Sequence, residues 1–127
     1  MNFEKVIFAF FIVLALTLNF GFFLGDIDNP DHHNVYELFA AIVVSLIATV
    51  LKAGDKTHMG AVLLATSLVA DLQLIIAAII WGIVVHVTAT GLDAGNMSAI
   101  VSLSGGALLA NITSVVLLVS ETLMVRR

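Results

Sequence analysis

The chain has 127 residues, of which 61% are hydrophobic and only 11% charged, with a net charge of −4, no Cys and a single Pro. Soluble domains are about 45–50% apolar and about 25% charged, so an ordinary soluble domain is excluded; so are a disulfide scaffold, a disordered chain and, with no basic run, a nucleic-acid binder. A mean hydropathy of +1.13 leaves an integral membrane protein made almost entirely of spanning segments.

Four apolar stretches predict an all-α integral membrane domain over residues 1–127, with spans at about 6–24, 35–51, 59–85 and 97–125. A spanning helix needs roughly 17–25 residues, and each stretch meets or exceeds that. Runs such as Ala77-Ala78-Ile79-Ile80 and Val115-Val116-Leu117-Leu118 do not alternate as barrel strands do. Lipid leaves backbone groups no outside partner, which makes helices the expected structure.

The first stretch has the short n-region and apolar core of a signal peptide. Asn19-Phe20-Gly21-Phe22-Phe23-Leu24-Gly25 offers no small-residue cleavage site, however, and an uncleaved helix is expected. The segment that follows, Gly25 to Glu37, is the most polar of the chain. Asn29-Pro30 reads as the N-cap and first position of the second helix, with Asn34 and Glu37 as an alternative capping box. Acids near a helix start complement its dipole. Asp26, Asp28, Asp31 and Glu37, with Asp93 of the later loop, also form a negative mouth of the kind that gathers cations. His33 and Glu37 share a helix face, and His32 or Asp31 would complete a metal site, although the Cys/His spacings of zinc sites are absent.

The second stretch carries Ser45 and Thr49 one turn apart, and Ala53 to His58 forms a tight turn into the third. Asp71 lies ten residues before Trp81, an interfacial anchor like Tyr36, which sets the carboxyl roughly 15 Å inside the bilayer. Intramembrane acids are costly and mark ion or proton paths; as structural glue, the same group would hydrogen-bond a neighbouring helix. Ser67, Asp71, Ala78 and Gly82 form one small and polar stripe. In the fourth stretch Asn111 is central, with Ser104, Ala107 and Ser114 on its face. Asp71 and Asn111 therefore lie at similar depth and could meet within one subunit or across an interface, either as a shared polar site at the midplane or as an interhelical hydrogen bond. Asp26-Ile27-Asp28-Asn29 and Asp93-Ala94-Gly95-Asn96 occupy similar places in the two hairpins, a match that duplication and chance explain equally.

Lys5, Lys52, Lys56, Arg126 and Arg127 all fall on one face of this threading, which the positive-inside rule makes cytoplasmic, so both termini are expected inside. The segments Leu14 to Gly25, Asn29 to Lys52 and Gly60 to Ile75 resemble an uncharacterised family of small four-helix bacterial inner-membrane proteins. The resemblance implies that location and carries no activity or functional residue.

These features point to a subunit of a homo-oligomeric cation channel or transporter. Ser67 and Asp71, or Glu37, Ser45 and Thr49, would line its path, with Asn111 at the same depth. Several copies are expected because four short-looped helices do not readily enclose a hydrated pore alone. A cation, monovalent or divalent, is the only ligand called for, and no cofactor or catalytic site is expected; no Gly-rich phosphate loop or hydrolase triad is evident. The alternative is a non-conducting accessory or scaffold subunit of a larger membrane complex, docked on a transporter or an enzyme. A metal-sensing membrane protein, resting on His32 to Glu37, is a third reading.

Overall fold

The computed structural model describes residues 3–88 and 91–125. Four helices are long and apolar enough to cross a membrane: α1 (Phe3–Phe23), α2 (Val35–Ala53), α3 (His58–Gly82) and α4 (Ala94–Val125). Short loops make chain neighbours antiparallel. α1 packs on α2 and α4, and α3 packs on the same two helices, so the four close into a ring.

The helix boundaries differ from the apolar runs where polar groups supply local partners. α1 begins at Phe3, and its Lys5 reaches Glu121 of α4 at 3.5 Å. Asn29 and Pro30 open a separate one-turn 3-10 helix, Pro30–His32, in which Asn29 Oδ1 accepts from Asp31 N. The N-cap of α2 is Asn34, whose side chain accepts from Tyr36 N at 2.8 Å. Glu37 does not return to the cap; its carboxylate lies against Gly21 of α1. α3 passes beyond Gly82 into a π-helical turn, Ile83–Val87. α4 starts at Ala94 because Asp93 Oδ1 accepts from Asn96 N at 2.7 Å.

The turn between α2 and α3 is organised by Asp55. One carboxylate oxygen takes the backbone N–H and the hydroxyl proton of Thr57 (2.9 and 2.7 Å), and the other faces Lys52 Nζ at 3.2 Å. Thr57 Oγ1 in turn accepts from Gly60 N, capping α3. These donors, the Thr57 hydroxyl first, hold the Asp55 carboxyl at about 2, below its ordinary 3.8.

Two apolar clusters fill the bundle. Phe22, Leu38, Ala41, Leu74, Ala77, Met97 and Ile100 pack toward the end that carries Asp26 and Asp93. Phe8, Ile12, Ala48 and Leu63 pack toward the end that carries Lys52 and Asp55. Lipid is as apolar as these side chains, so close packing holds the helices together, and small residues such as Ala15, Ala41, Ala48, Ala70, Ala77 and Ala107 on the buried faces permit it. Trp81 packs its ring on Phe22 with centroids 6.3 Å apart, while Tyr36 projects outward. The sidedness argument also used Arg126 and Arg127, which lie outside the described residues; Lys5, Lys52 and Lys56 gather at one end of the bundle.

Because folding depresses the Asp55 carboxyl, its contribution to stability is complete above about pH 4 and disappears as pH falls toward about 2. Asp55→Asn is expected to cost about 1 kcal/mol at pH 7. Thermal melts of the two proteins in detergent should converge as pH is lowered through that window.

A polar belt across the bundle as candidate functional site

Between the two apolar clusters every helix turns a polar side chain inward. On α1 it is Asn19, between Ile12 and Phe22; on α2, Ser45, between Ala41 and Ala48. On α3 Ser67 and Asp71 fall between Leu63 and Leu74, and on α4 Asn111 and Ser114 follow Ala107. All six are buried, and Asp71 is 5% exposed. The expected α4 face of Ser104, Ala107, Asn111 and Ser114 is buried as a unit. On α3 the inward stripe differs from the expected one. It runs through Gly60, Leu63, Ser67, Ala70, Asp71, Leu74 and Ala77, leaving Ala78 and Gly82 partly exposed.

Asp71 joins α3 to α2. Its Oδ1 accepts from Ser45 Oγ at 2.6 Å, and its Oδ2 lies 2.5 Å from Thr49 Oγ1. Thr49 Oγ1 is also 2.9 Å from the Ser45 carbonyl oxygen, so this hydroxyl has one proton for two acceptors. The arrangement answers the cost of placing a carboxyl inside an apolar span by giving both oxygens hydroxyl partners.

Asn19 joins α1 to α4, a role that the sequence reading missed. With its side-chain amide turned to satisfy both ends, Nδ2 donates to the Ser104 carbonyl (3.0 Å) and Oδ1 accepts from Leu108 N (2.9 Å) and Asn111 Nδ2 (3.1 Å). Ser104 and Leu108 are the pair that a regular α-helix bonds directly. The Asn19 carboxamide thus pairs with two backbone groups one turn apart on α4 and with the Asn111 side chain. At Gly106 an added Cβ would lie 2.6 Å from Gln73 Oε1, so the Gln73 carboxamide of α3 occupies the space beside this glycine. The signal in sequence was a carboxamide in a 21-residue helix otherwise made almost wholly of apolar residues.

Asp71 and Asn111 share a depth but not a hydrogen bond: one is tied to α2 and the other to α1. Thr66 bonds Ser114 across α3 and α4. Three buried polar atoms have no partner among the described residues, namely Ser67 Oγ, Asn111 Oδ1 and Gln73 Oε1. Two of them, Ser67 Oγ and Asn111 Oδ1, belong to the belt.

At the acidic end Asp26, Asp28, Asp31 and Asp93 are exposed, and Glu37 is partly buried. His33, 4% exposed, directs Nδ1 to the Phe22 carbonyl (2.5 Å) and Nε2 to the Asp26 carbonyl (2.7 Å). Carbonyls only accept, so a protonated ring nitrogen of His33 donates to the carbonyl it faces. His32 Nδ1 accepts from Asp26 N at 2.8 Å, which holds Asp26 by its backbone on both sides. Gly25 between these groups has φ +102°, and a Cβ there would meet His32 Cβ at 2.6 Å. His33 therefore has no free nitrogen to share with Glu37. Among the described residues no three His, Asp or Glu side chains gather as metal ligands.

Replacing Asn19 by Leu removes its bonds to Ser104, Leu108 and Asn111 and takes from the Asn111 carboxamide its partner on α1. The expected loss is about 1–3 kcal/mol, measured by reversible unfolding in mixed micelles. Ser45→Ala is expected to cost about 0.6–1.7 kcal/mol alone and much less on an Asp71→Leu background, a coupling that a double-mutant cycle reads directly.

No curated protein matches the chain, and no solved structure does. A family of unknown function, DUF6394, matches it over residues 32–122, which takes in the acidic segment from His32 onward and everything the belt draws from α2, α3 and α4. The chain belongs to that family.

Proposed function

We propose that this protein is a subunit of a homo-oligomeric cation channel or transporter of a bacterial inner membrane, threaded with both termini in the cytoplasm. The observation that carries the reading is the belt itself, a layer of polar side chains with a carboxyl and two unpartnered atoms where an apolar core would be cheaper. Exposed Asp26, Asp28, Asp31 and Asp93 would raise the local cation concentration at the outer end. Glu37, at the start of α2, is the next carboxylate inward, and Asp71 is the midplane station.

The belt lies inside one subunit's ring of helices, so the path runs through each bundle and not along a seam between copies. An interior this closely packed favours a transporter-like step, in which a dehydrated cation or a proton is held and passed on, over an open water-filled pore. Thr49 supplies the moving part. When Asp71 carries a proton, its Oδ2–H donates to Thr49 Oγ1, and Thr49 gives its own proton to the Ser45 carbonyl, so each proton serves one acceptor. When the proton leaves, the Thr49 hydroxyl swings to the carboxylate. A metal cation at Asp71 would instead meet the hydroxyl lone pairs of Ser45 and Thr49. In this reading no residue performs covalent chemistry.

A non-conducting accessory subunit is the second reading. What favours it is that both Asp71 oxygens already have hydroxyl partners, so the carboxyl serves equally as a clamp between α2 and α3.

Purified protein in proteoliposomes separates the two. The transport reading expects cation or proton flux that falls at least about tenfold in Asp71→Asn, the loss expected when a positioned proton-transfer or binding group is removed, while oligomer size is unchanged. Absence of flux for protons and every cation tested, from well-folded wild-type protein, would leave the accessory reading.

A further inference from the structure

The opposite end of the molecule carries a cleft of about 620 Å3 that the transport reading does not use. It lies between the first turns of α1 and the junction of α2 with the following turn. Lys5, Lys52 and Lys56 line it, and these are all the lysines and arginines among the described residues. Ile7 and Phe8 of α1 and Val50 and Leu51 of α2 supply apolar walls, and Val50 and Leu51 face outward, where lipid would surround the bundle.

The lysines differ in how firmly they are held. Lys52 is 8% exposed, its ammonium 4.4 Å from the centroid of the Phe8 ring and 3.2 Å from Asp55 Oδ2. It is a fixed positive charge at the inner wall. Lys56 is exposed on the turn, and Lys5 stands on α1 with its ammonium 3.5 Å from Glu121. Two carboxylates, Glu4 and Asp55, also line the cleft, and Asp55 is already occupied by Thr57 and Lys52. Three ammonium groups against Glu4 and Asp55 leave the lining one charge positive, with Glu121 beside Lys5 outside that lining, so a headgroup phosphate would take the Lys5 ammonium in exchange for this carboxylate.

We propose that this cleft binds the phosphate of an anionic membrane lipid, with Lys5 and Lys56 closing on the headgroup from its two sides and Lys52 behind it. Two features of the cleft select a lipid over free phosphate. The cations stand at the ends of spanning helices, where headgroups lie, and the walls beside them are aliphatic and aromatic, which suits the first carbons of an acyl chain and does nothing for an inorganic ion. Basic pockets between helix ends at a membrane surface recognise phosphate headgroups by this combination of point charges and apolar walls.

The test uses the full-length protein in a neutral detergent, with melting temperature as the readout. Phosphatidylglycerol is compared with phosphatidylcholine of the same chains and with inorganic phosphate. Phosphatidylglycerol is expected to raise the melting temperature by about 5 °C, phosphatidylcholine by less than about half of that, and inorganic phosphate not at all. Lys5→Gln with Lys56→Gln should abolish the phosphatidylglycerol increment. Lys56→Gln alone, on an exposed turn position, should weaken it without lowering the melting temperature in detergent, and Lys5→Arg with Lys56→Arg should retain it. Equal stabilisation by both lipids, or a full increment in the double Gln variant, would overturn the proposal. A shift given by inorganic phosphate alone would reassign the cleft to a soluble anion.

Discussion

Within the hydrocarbon layer a buried polar group has no water to fall back on, and every donor and acceptor must find its partner in the protein. That constraint organises this bundle more than any apolar contact does. Leu, Ile and Val gain little by leaving lipid for a protein interior, so they do not by themselves specify which helix meets which. The polar side chains do. Asp71 can be satisfied only where Ser45 and Thr49 come up against it, which fixes the register of α3 on α2. Asn19 is satisfied only at Ser104, Leu108 and Asn111, which fixes α1 on α4. Thr66 and Ser114 fix α3 on α4. The apolar clusters on either side of the belt then pack in the geometry these bonds dictate.

The same constraint gives the unpartnered atoms their interest. In a soluble protein an unsatisfied hydroxyl near the surface is answered by solvent. Here Ser67 Oγ and Asn111 Oδ1 are fully enclosed, in the layer where the carboxyl also lies. A protein under pressure only to pack would place Ala and Leu at these positions, as it does one turn away at Ala70, Leu74 and Ala107. Retaining oxygens at the centre of all four helices is a cost that a structural role covers for Asp71 and Asn19 and does not cover for Ser67.

Much of this was readable in the residues. Span number and approximate extent follow from run lengths. The α4 face was correct because Ser104, Ala107, Asn111 and Ser114 obey helical spacing without interruption. Other features were hidden for identifiable physical reasons. Periodicity on α3 is blurred because Ala and Gly occur on both faces, so the stripe through Ala78 and Gly82 looked as good as the true one through Leu74 and Ala77. Asn19 was overlooked because two of its three partners are backbone atoms, which every residue possesses and no sequence pattern advertises. His33 looked like a metal ligand beside Glu37. Its two nitrogens instead face the carbonyls of Phe22 and Asp26.

The Asn19 bridge also sets an order of events during synthesis. Its partners Ser104, Leu108 and Asn111 lie at least 85 residues further along the chain. At about 5–20 residues per second, α1 resides in the bilayer for roughly 4–17 s before the helix that satisfies its carboxamide has been made. During that interval the contacts available to α1 are those with α2 and the loop before it, such as Glu37 on Gly21 and His33 on the Phe22 carbonyl. The first hairpin must therefore be held by its loop end while its middle waits, and the arrival of α4 closes the ring. A chain stalled or cut after α3 would leave an unanswered amide facing lipid or any other helix within reach, a signal by which an incomplete copy differs physically from a finished one.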